Sequence, residues 1–370
     1  MKAFSVVVLH YNAPVFLEGA LDSLQRAIAG MDAEIIVADN ASTDFDAAYF
    51  RARFPDVKFL LFSTNYGFAR GNNLAVWEAR GEYVFLVNPD VLVPGDLFAQ
   101  LLPKMQKAED LGLAGIRLID GRGRFLPESK RRVPGFLSVL DRLGQRGGGR
   151  YYDTRLADTA DGPTEVLVGA FMGFRQADFL RIGGFDERFF MYGEDIDLSY
   201  RFLRAGKRNY YFGTLAALHF KGESTPRNAL YRKHFIDASV KFYRKHGSKA
   251  LAPVVSLGKP LLHLWYRWRK QRPLPPGAPE RYIYTGTDRE MWARLQRVFP
   301  AVEMERTRPV DTSALYIWDP AATPYDQMLD FMWQHRRQDY YYRFITPSRR
   351  HLYGSDSPDG RGQLIELPTD

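Results

Sequence analysis

Phe4-Ser-Val-Val-Val-Leu-His-Tyr-Asn12 is the stretch that decides the fold. Its first six residues form a β-branched, nearly continuous apolar run, the pattern of a strand buried on both faces. Asn12 reads as an N-cap with Pro14 in the first helical turn, and Leu17, Ala20, Leu21 and Leu24 follow at helical spacing. Working outward, residues 34–38, 57–62 and 83–87 read as further strands, with a helix over 72–79 between the last two. Strands alternating with helices imply right-handed crossovers and a mostly parallel sheet. Ligands of such sheets bind beyond the carboxyl ends of the strands. Three polar clusters fall there: His10-Tyr11-Asn12, Asp39-Asn40-Ala41-Ser42 and Asn88-Pro89-Asp90.

Past residue 117 the alternation gives way to Gly/Arg-rich segments, read as long loops with one short helix over 137–143; structureless stretches of that length are usually functional or mobile. Order resumes at Glu165, and a helix is expected over 194–205 with Gly206 as its stop. Tyr231, Phe235, Ala238 and Phe242 mark another helix ending near Gly247, and Leu257, Leu261, Leu264, Trp265 and Trp268 mark one more. Residues 272–279 are Pro-rich and read as a linker. The expected organisation is therefore a body over 1–225, a helical extension over 226–272, a linker over 273–280 and a small α/β unit over 281–370.

The 370 residues include no cysteine, which excludes a disulfide scaffold, a Cys-ligated metal and a thiol nucleophile. At 45% hydrophobic and 14% aromatic the chain is not intrinsically disordered. Its net charge of +8 is unevenly spread: residues 201–272 hold 17 Lys/Arg against only Glu223 and Asp237. A basic block on a mildly acidic body suggests an anionic partner for the block. No stretch approaches the ~20 apolar residues of a membrane span, and the first residues lack the apolar run and cleavage site of a signal peptide, so a cytoplasmic location is expected.

Each polar cluster has a bland and a chemical reading. Asp90, on a tight turn stiffened by Pro89, can hold a divalent cation against a diphosphate or serve an ordinary turn. Asp39 can accept from a base or ribose, or begin an Asx turn. The segment Asn65-Tyr-Gly-Phe-Ala-Arg-Gly-Asn-Asn73 offers glycines and a helix N-terminus to phosphate, or is a structural loop. The acids of Glu194-Asp195-Ile-Asp197 can cap a helix N-terminus, or, since adjacent Glu194 and Asp195 exceed what capping requires, one of them can act as general base toward a hydroxyl. His219, after an apolar run, can be a metal ligand or a hydrogen-bonded structural residue.

Taken in order, Val6-Val-Val-Leu-His-Tyr-Asn12, Val37-Ala-Asp-Asn-Ala-Ser42, Asn65 to Asn73, Val87-Asn-Pro-Asp90, Gly183-Gly-Phe-Asp-Glu187, Glu194-Asp-Ile-Asp197 and His219 resemble the family 2 glycosyltransferases, in their rhamnosyltransferase-like branch. The resemblance covers about residues 1–225. It implies a GT-A fold, a Rossmann-like mostly parallel sheet flanked by helices, and an inverting, metal-dependent transfer from a nucleotide-diphosphate sugar. L-rhamnose is the first candidate sugar, and a hydroxyl of a glycan or lipid-linked acceptor in cell-surface polysaccharide synthesis is the expected acceptor. It places His10, Tyr11, Asn12, Asp39, Asn40, Gly67, Arg70, Asn72 and Asn88 around the nucleotide sugar. Asp90 and His219 would hold Mg2+ or Mn2+. Asp195 would be the base, with Glu194 orienting it or competing for the role. Many relatives carry Asp where this chain has Asn88, which implies a lower-affinity cation site.

The apolar face with Trp265 and Trp268, ringed by Lys259, Arg267, Arg269 and Lys270, has the composition of an interfacial helix. An anionic membrane surface is thus a candidate partner, giving a peripheral location; packing on the rest of the protein is the alternative. Nucleic acid is not expected, since no stacking platform accompanies the charge. Gln338-Asp-Tyr-Tyr-Tyr-Arg-Phe344 reads either as a sugar-stacking patch or as a core strand. The rival functions are a nucleotide-sugar-binding protein without turnover, and a nucleotidyltransferase on a similar sheet, which would release pyrophosphate.

Overall fold

The computed structural model describes residues 2–135, 151–222, 229–247, 279–305, 308–357, 360 and 362–368. The helix expected over 137–143, the amphipathic segment with Trp265 and Trp268, and nearly all of the linker lie outside the described residues.

The opening stretch is β1 (Lys2–His10), followed by α1 (Pro14–Ala27), β2 (Ala33–Asp39), α2 (Ala47–Arg53), β3 (Lys58–Leu61), α3 (Gly67–Trp77) and β4 (Gly81–Val87). Along β1 the side chains alternate between two cores: Phe4, Val6 and Val8 pack with α1, while Val7 packs with α3. That is why the run is apolar at nearly every position rather than at every second one. The sequence continues through β5 (Val91–Leu92), α4 (Leu97–Lys107), β6 (Leu111–Ile119), β7 (Lys130–Arg131), β8 (Asp161–Thr164), β9 (Val166–Leu167), β10 (Phe171–Arg175), α5 (Gln176–Arg181), α6 (Glu194–Arg204) and β11 (Arg208–His219). The main sheet runs β3-β2-β1-β4-β10-β6-β11-β5, with β8 on β11. The pairs β1–β2, β1–β4, β2–β3 and β6–β11 are parallel, whereas β10 is antiparallel to both β4 and β6. Strand order reverses direction between β1 and β4, which opens a crevice at their carboxyl ends.

Two local expectations are corrected. The cap of α1 is Ala13, not Asn12. Pro14 supplies the fixed φ of the first turn, and Asn12 is turned out of the helix at φ 48°, its side chain taken up by Thr43. The helix expected from residue 72 begins at Gly67, so Arg70, Gly71 and Asn72 belong to α3 rather than to a glycine-rich loop.

After β11 comes α7 (Ala229–His246), whose Ala238 and Phe242 pack on Phe189 beside α6. The final unit is β12 (Arg281–Tyr284), α8 (Arg289–Val298), β13 (Val302–Met304), β14 (Ala314–Trp318), α9 (Tyr325–Gln334), β15 (Tyr340–Ile345), β16 (His351–Gly354) and β17 (Gln363–Glu366). Its sheet runs β13-β12-β14-β15-β16-β17, parallel through β15. Every residue of β15 is buried, so the tyrosine run is a core strand and not a sugar-stacking patch. Tyr340, Tyr342 and Phe344 face the body, while Tyr341 and Ile345 face α8. The side toward the body shares one core with Phe16, Leu92, Ile119, Leu218 and Phe220. At this seam the body offers glycines: a Cβ on Gly121 would lie 1.9 Å from the Ser355 carbonyl oxygen, and one on Gly19 would lie 1.9 Å from the Tyr353 hydroxyl.

Much of the described basic block is neutralised internally. Arg201 pairs with Asp197, Lys207 with Asp178, Arg208 with Asp110, Lys221 with Glu128, and Lys245 with Asp186 and Asp197. No helix among the described residues is long and apolar enough to cross a membrane.

Candidate active site

The ends of β1 and β2 meet at His10 and Asp39, which are cross-strand partners. His10 Nε2 accepts from the Ala13 N–H at 3.1 Å, so Nδ1 carries the proton and donates to Asp39 Oδ1 at 2.8 Å. Asp39 Oδ2 accepts from the Ser42 N–H at 3.1 Å. Burial pushes the Asp39 carboxyl up, but the hydrogen bonds from His10 and Ser42 outweigh it, and the group sits below the ordinary carboxylate range. Asn12 completes the turn: its N–H donates to Ser42 Oγ at 2.9 Å and its Oδ1 accepts from Thr43 N–H at 3.0 Å. The result is a fixed, ionised carboxylate at the mouth of the crevice, with the half-buried Tyr11 beside it.

Asn40 is buried and fully engaged. It donates to Asn65 Oδ1 at 3.0 Å and to the Gly67 carbonyl at 3.2 Å, and accepts from Tyr66 N–H at 2.9 Å. It therefore shapes the 65–67 turn rather than presenting its amide to a ligand. Gly67 has φ 75°, and a Cβ there would lie 2.5 Å from the Phe190 carbonyl oxygen, so only glycine fits. Arg70 is exposed, 4.6 Å over the Tyr66 ring and 3.7 Å from Glu187. Asn72 is buried and donates to the Phe68 carbonyl of its own helix.

At the end of β4, the Asn88 N–H donates to the Ala170 carbonyl at 2.9 Å. Asp90, in the turn between β4 and β5, and His219, at the end of β11, come together, with Asp90 Oδ1 3.3 Å from His219 Nε2 and both side chains buried. His219 Nδ1 has no hydrogen-bond partner among the described residues. A buried carboxyl oxygen and an imidazole nitrogen side by side are a donor set that suits Mn2+ and accepts Mg2+, so the pair fits the expected cation. Among the described residues no group of three or more His, Cys, Asp or Glu could hold an ion. Asp90 and His219 would be the two protein donors to such an ion.

The carboxylates opening α6 are linked to the same crevice through residues 169 and 170. Gly169 N–H donates to Asp195 Oδ2 at 3.3 Å. Asp195 Oδ2 also accepts from Arg131 Nη2 at 2.5 Å, while Arg131 donates to the Leu167 carbonyl at 3.0 Å and to the Tyr151 hydroxyl at 3.2 Å. Although burial works against its charge, the nearby Asp195 holds the Arg131 guanidinium above its ordinary value. Glu194 behaves oppositely: burial first, and Asp195 second, raise its carboxyl well above the usual range. Its Oε2 has no partner among the described residues. Two adjacent buried carboxyls disfavour a second charge, and here that burden falls on Glu194. Asp197, wholly buried, instead holds α7 through Lys245 Nζ at 2.6 Å and His246 Nε2 at 2.7 Å.

Sequence reasoning missed Arg131, which sits in Lys130-Arg131-Arg132 within the stretch read as loops; a basic triplet there was its only signal. Asn73, singled out only as the end of the 65–73 segment, clasps both backbone groups of Phe185 with its side chain at 2.9 Å and so ties α3 to the turn before α6.

The model described as "Glycosyl transferase family 2" matches residues 5–183, and that described as "N-terminal domain of galactosyltransferase" matches residues 159–217. The N-acetylglucosaminyl-diphospho-decaprenol L-rhamnosyltransferase of Mycobacterium tuberculosis is 32% identical over 242 residues, covering 60% of this chain and 78% of that protein. The rhamnosyltransferase WbbL of Escherichia coli is 29% identical over 163 residues, 42% of this chain and 61% of that protein. Of solved structures, the mannosyltransferase PcManGT from Pyrobaculum calidifontis, in complex with GDP-Man and Mn2+, is 20% identical with a TM-score of 0.47, covering 72% of this chain and 73% of that one. The family-model match takes in β1, β2, β4 and the turns around the crevice, and at 32% identity over 78% of the mycobacterial enzyme the chain belongs to glycosyltransferase family 2, in its rhamnosyltransferase-like branch, on a GT-A fold.

Proposed function

We propose that the chain is an inverting, metal-dependent glycosyltransferase that moves L-rhamnose from dTDP-L-rhamnose to a hydroxyl of a lipid-linked glycan in cell-surface polysaccharide synthesis. The observation that carries this reading is the pairing of Asp195, positioned by Arg131 and the Gly169 N–H, with the Asp90–His219 donor pair, joined through residues 169 and 170. Asp39 takes the nucleoside end of the donor. Asp195 takes the proton from the acceptor hydroxyl as its oxygen bonds to the anomeric carbon, and the anomeric C–O bond breaks to release the nucleoside diphosphate. A bound Mg2+ or Mn2+, held by Asp90 and His219, would supply a charge sink for the departing diphosphate. The relatives' rhamnosyl donor and diphospholipid acceptor support the substrate choice. The amphipathic sequence with Trp265 and Trp268, ringed by Lys259, Arg267, Arg269 and Lys270, supports a peripheral seat on an anionic membrane, where such an acceptor resides.

The test is incubation with dTDP-L-rhamnose, Mn2+ and a prenyl-diphosphate-linked N-acetylglucosamine. Release of dTDP, with inverted anomeric configuration in the product by NMR, is expected. Retained configuration would overturn the mechanism, and no leaving group from any nucleotide sugar would overturn the enzyme reading. Pyrophosphate release would favour a nucleotidyltransferase.

A further inference from the structure

We infer that the C-terminal unit is a structural part of the donor site: through Phe344 and Tyr353 it fixes Phe220, and through Phe220 it sets the spacing of Asp90 and His219. Phe220 touches both members of the pair. It follows His219 directly in the chain, and its N–H donates to the Asp90 carbonyl at 3.0 Å. Its ring is buried in a cluster of four: 5.2 Å from Phe16, 5.5 Å from Phe344 and 5.5 Å from Tyr353, between ring centres. Tyr353 in turn packs 5.3 Å from Phe16 and 5.8 Å from Phe344. Two of the three rings around Phe220 thus come from β15 and β16. With no polar partner for His219 Nδ1 among the described residues, its ring gains little orientation from hydrogen bonding. What places it beside Asp90 is the backbone, which the Phe220 N–H bond to the Asp90 carbonyl and the buried Phe220 ring hold in place.

The backbone beyond points the same way. Lys221 and Gly222 take consecutive left-handed conformations, φ 64° and 89°, and a Cβ on Gly222 would lie 3.1 Å from the Gly360 carbonyl oxygen. The chain leaving His219 therefore turns directly against the C-terminal unit. Lys221 is anchored on the other side by its ion pair with Glu128. Metal sites demand donors held within a few tenths of an ångström, and outer groups that hold them affect affinity strongly.

This inference rests on Asp90 and His219 being the cation donors, and the test separates the two. Mn2+ binding to the full chain is titrated by EPR with dTDP present, for the wild type, Asp90→Asn, Phe344→Ala, Phe344→Leu and Arg122→Ala. Arg122 bridges the same seam to Asp339 at 2.6 Å without touching the ring cluster. Phe344→Ala is expected to weaken Mn2+ by about tenfold, with Phe344→Leu between it and the wild type. Arg122→Ala should bind Mn2+ as the wild type does. If Asp90→Asn binds Mn2+ as the wild type does, the donor reading fails. If Asp90→Asn loses Mn2+ while both Phe344 variants keep full affinity, or if Arg122→Ala weakens it equally, the positioning role is overturned. Should Phe344→Ala not fold, Phe344→Leu decides.

Discussion

Arg131 Nη2 lies 2.5 Å from Asp195 Oδ2, and both side chains are buried. Removing one partner of such a pair strands a charge in the interior, at about 3–5 kcal/mol. Asp195→Ala should therefore lower Tm steeply as well as abolish transfer. The double variant Asp195→Leu/Arg131→Met should regain most of that stability while staying inactive. Thermal melts and dTDP release measure the two readouts; a double variant no more stable than the single one would refute the coupling.

Asp195→Asn keeps the shape and loses the base. Its transfer rate should fall by about 100- to 10,000-fold, with dTDP affinity by calorimetry within error of the wild type.

Glu194 makes the opposite contribution to stability. Its folded carboxyl is raised by burial and by Asp195. The unfolded chain therefore ionises it first, and stability is full below the ordinary Glu value and declines as pH rises toward the folded one. Glu194→Gln removes that decline. The Tm advantage of the variant should be small at pH 4 and grow toward neutrality; an advantage that shrinks with pH would count against the assignment.

Asp39 is held below its ordinary value despite burial, so its contribution is present above that value and fades in acid. Asp39→Asn should weaken dTDP binding by about 10- to 100-fold, the equivalent of ~1.5–3 kcal/mol for hydrogen bonds to a charged group. Calorimetry with dTDP checks it, and unchanged affinity would remove Asp39 from the nucleotide pocket.

Vesicle sedimentation tests the basic block. Trp265→Ala/Trp268→Ala should release the protein from anionic vesicles, and undiminished co-sedimentation would refute membrane docking.

The sequence made the sheet legible because β1, β2 and β4 are buried on both faces and leave unbroken apolar runs. The position of the candidate residues at their ends was legible for the same reason: polar groups stop those runs abruptly. Two things were hidden. The start of α3 was obscured because Gly67 and Gly71 read as loop residues, whereas Gly71 is small to admit Leu9, whose Cδ1 would lie 2.7 Å from an added Cβ. Arg131 was hidden because its partner is 64 residues away and only tertiary structure brings them together. The role of β15 was ambiguous for a related reason, as an all-aromatic run has no period to say which side is covered.

The seam between the two ends of the chain also sets an order of events during synthesis. Asp22 on α1 receives its hydrogen bond from Tyr325, 303 residues later, and Glu18 receives Ser348, 330 residues later. At about 5–20 residues per second the ribosome needs roughly 15–60 s to bridge that gap. Throughout it Phe16 and the α1 surface wait without their cover. A nascent chain with an apolar helix exposed for that long is a natural client for a chaperone, and slowing translation late in the message should raise its aggregation more than slowing it early.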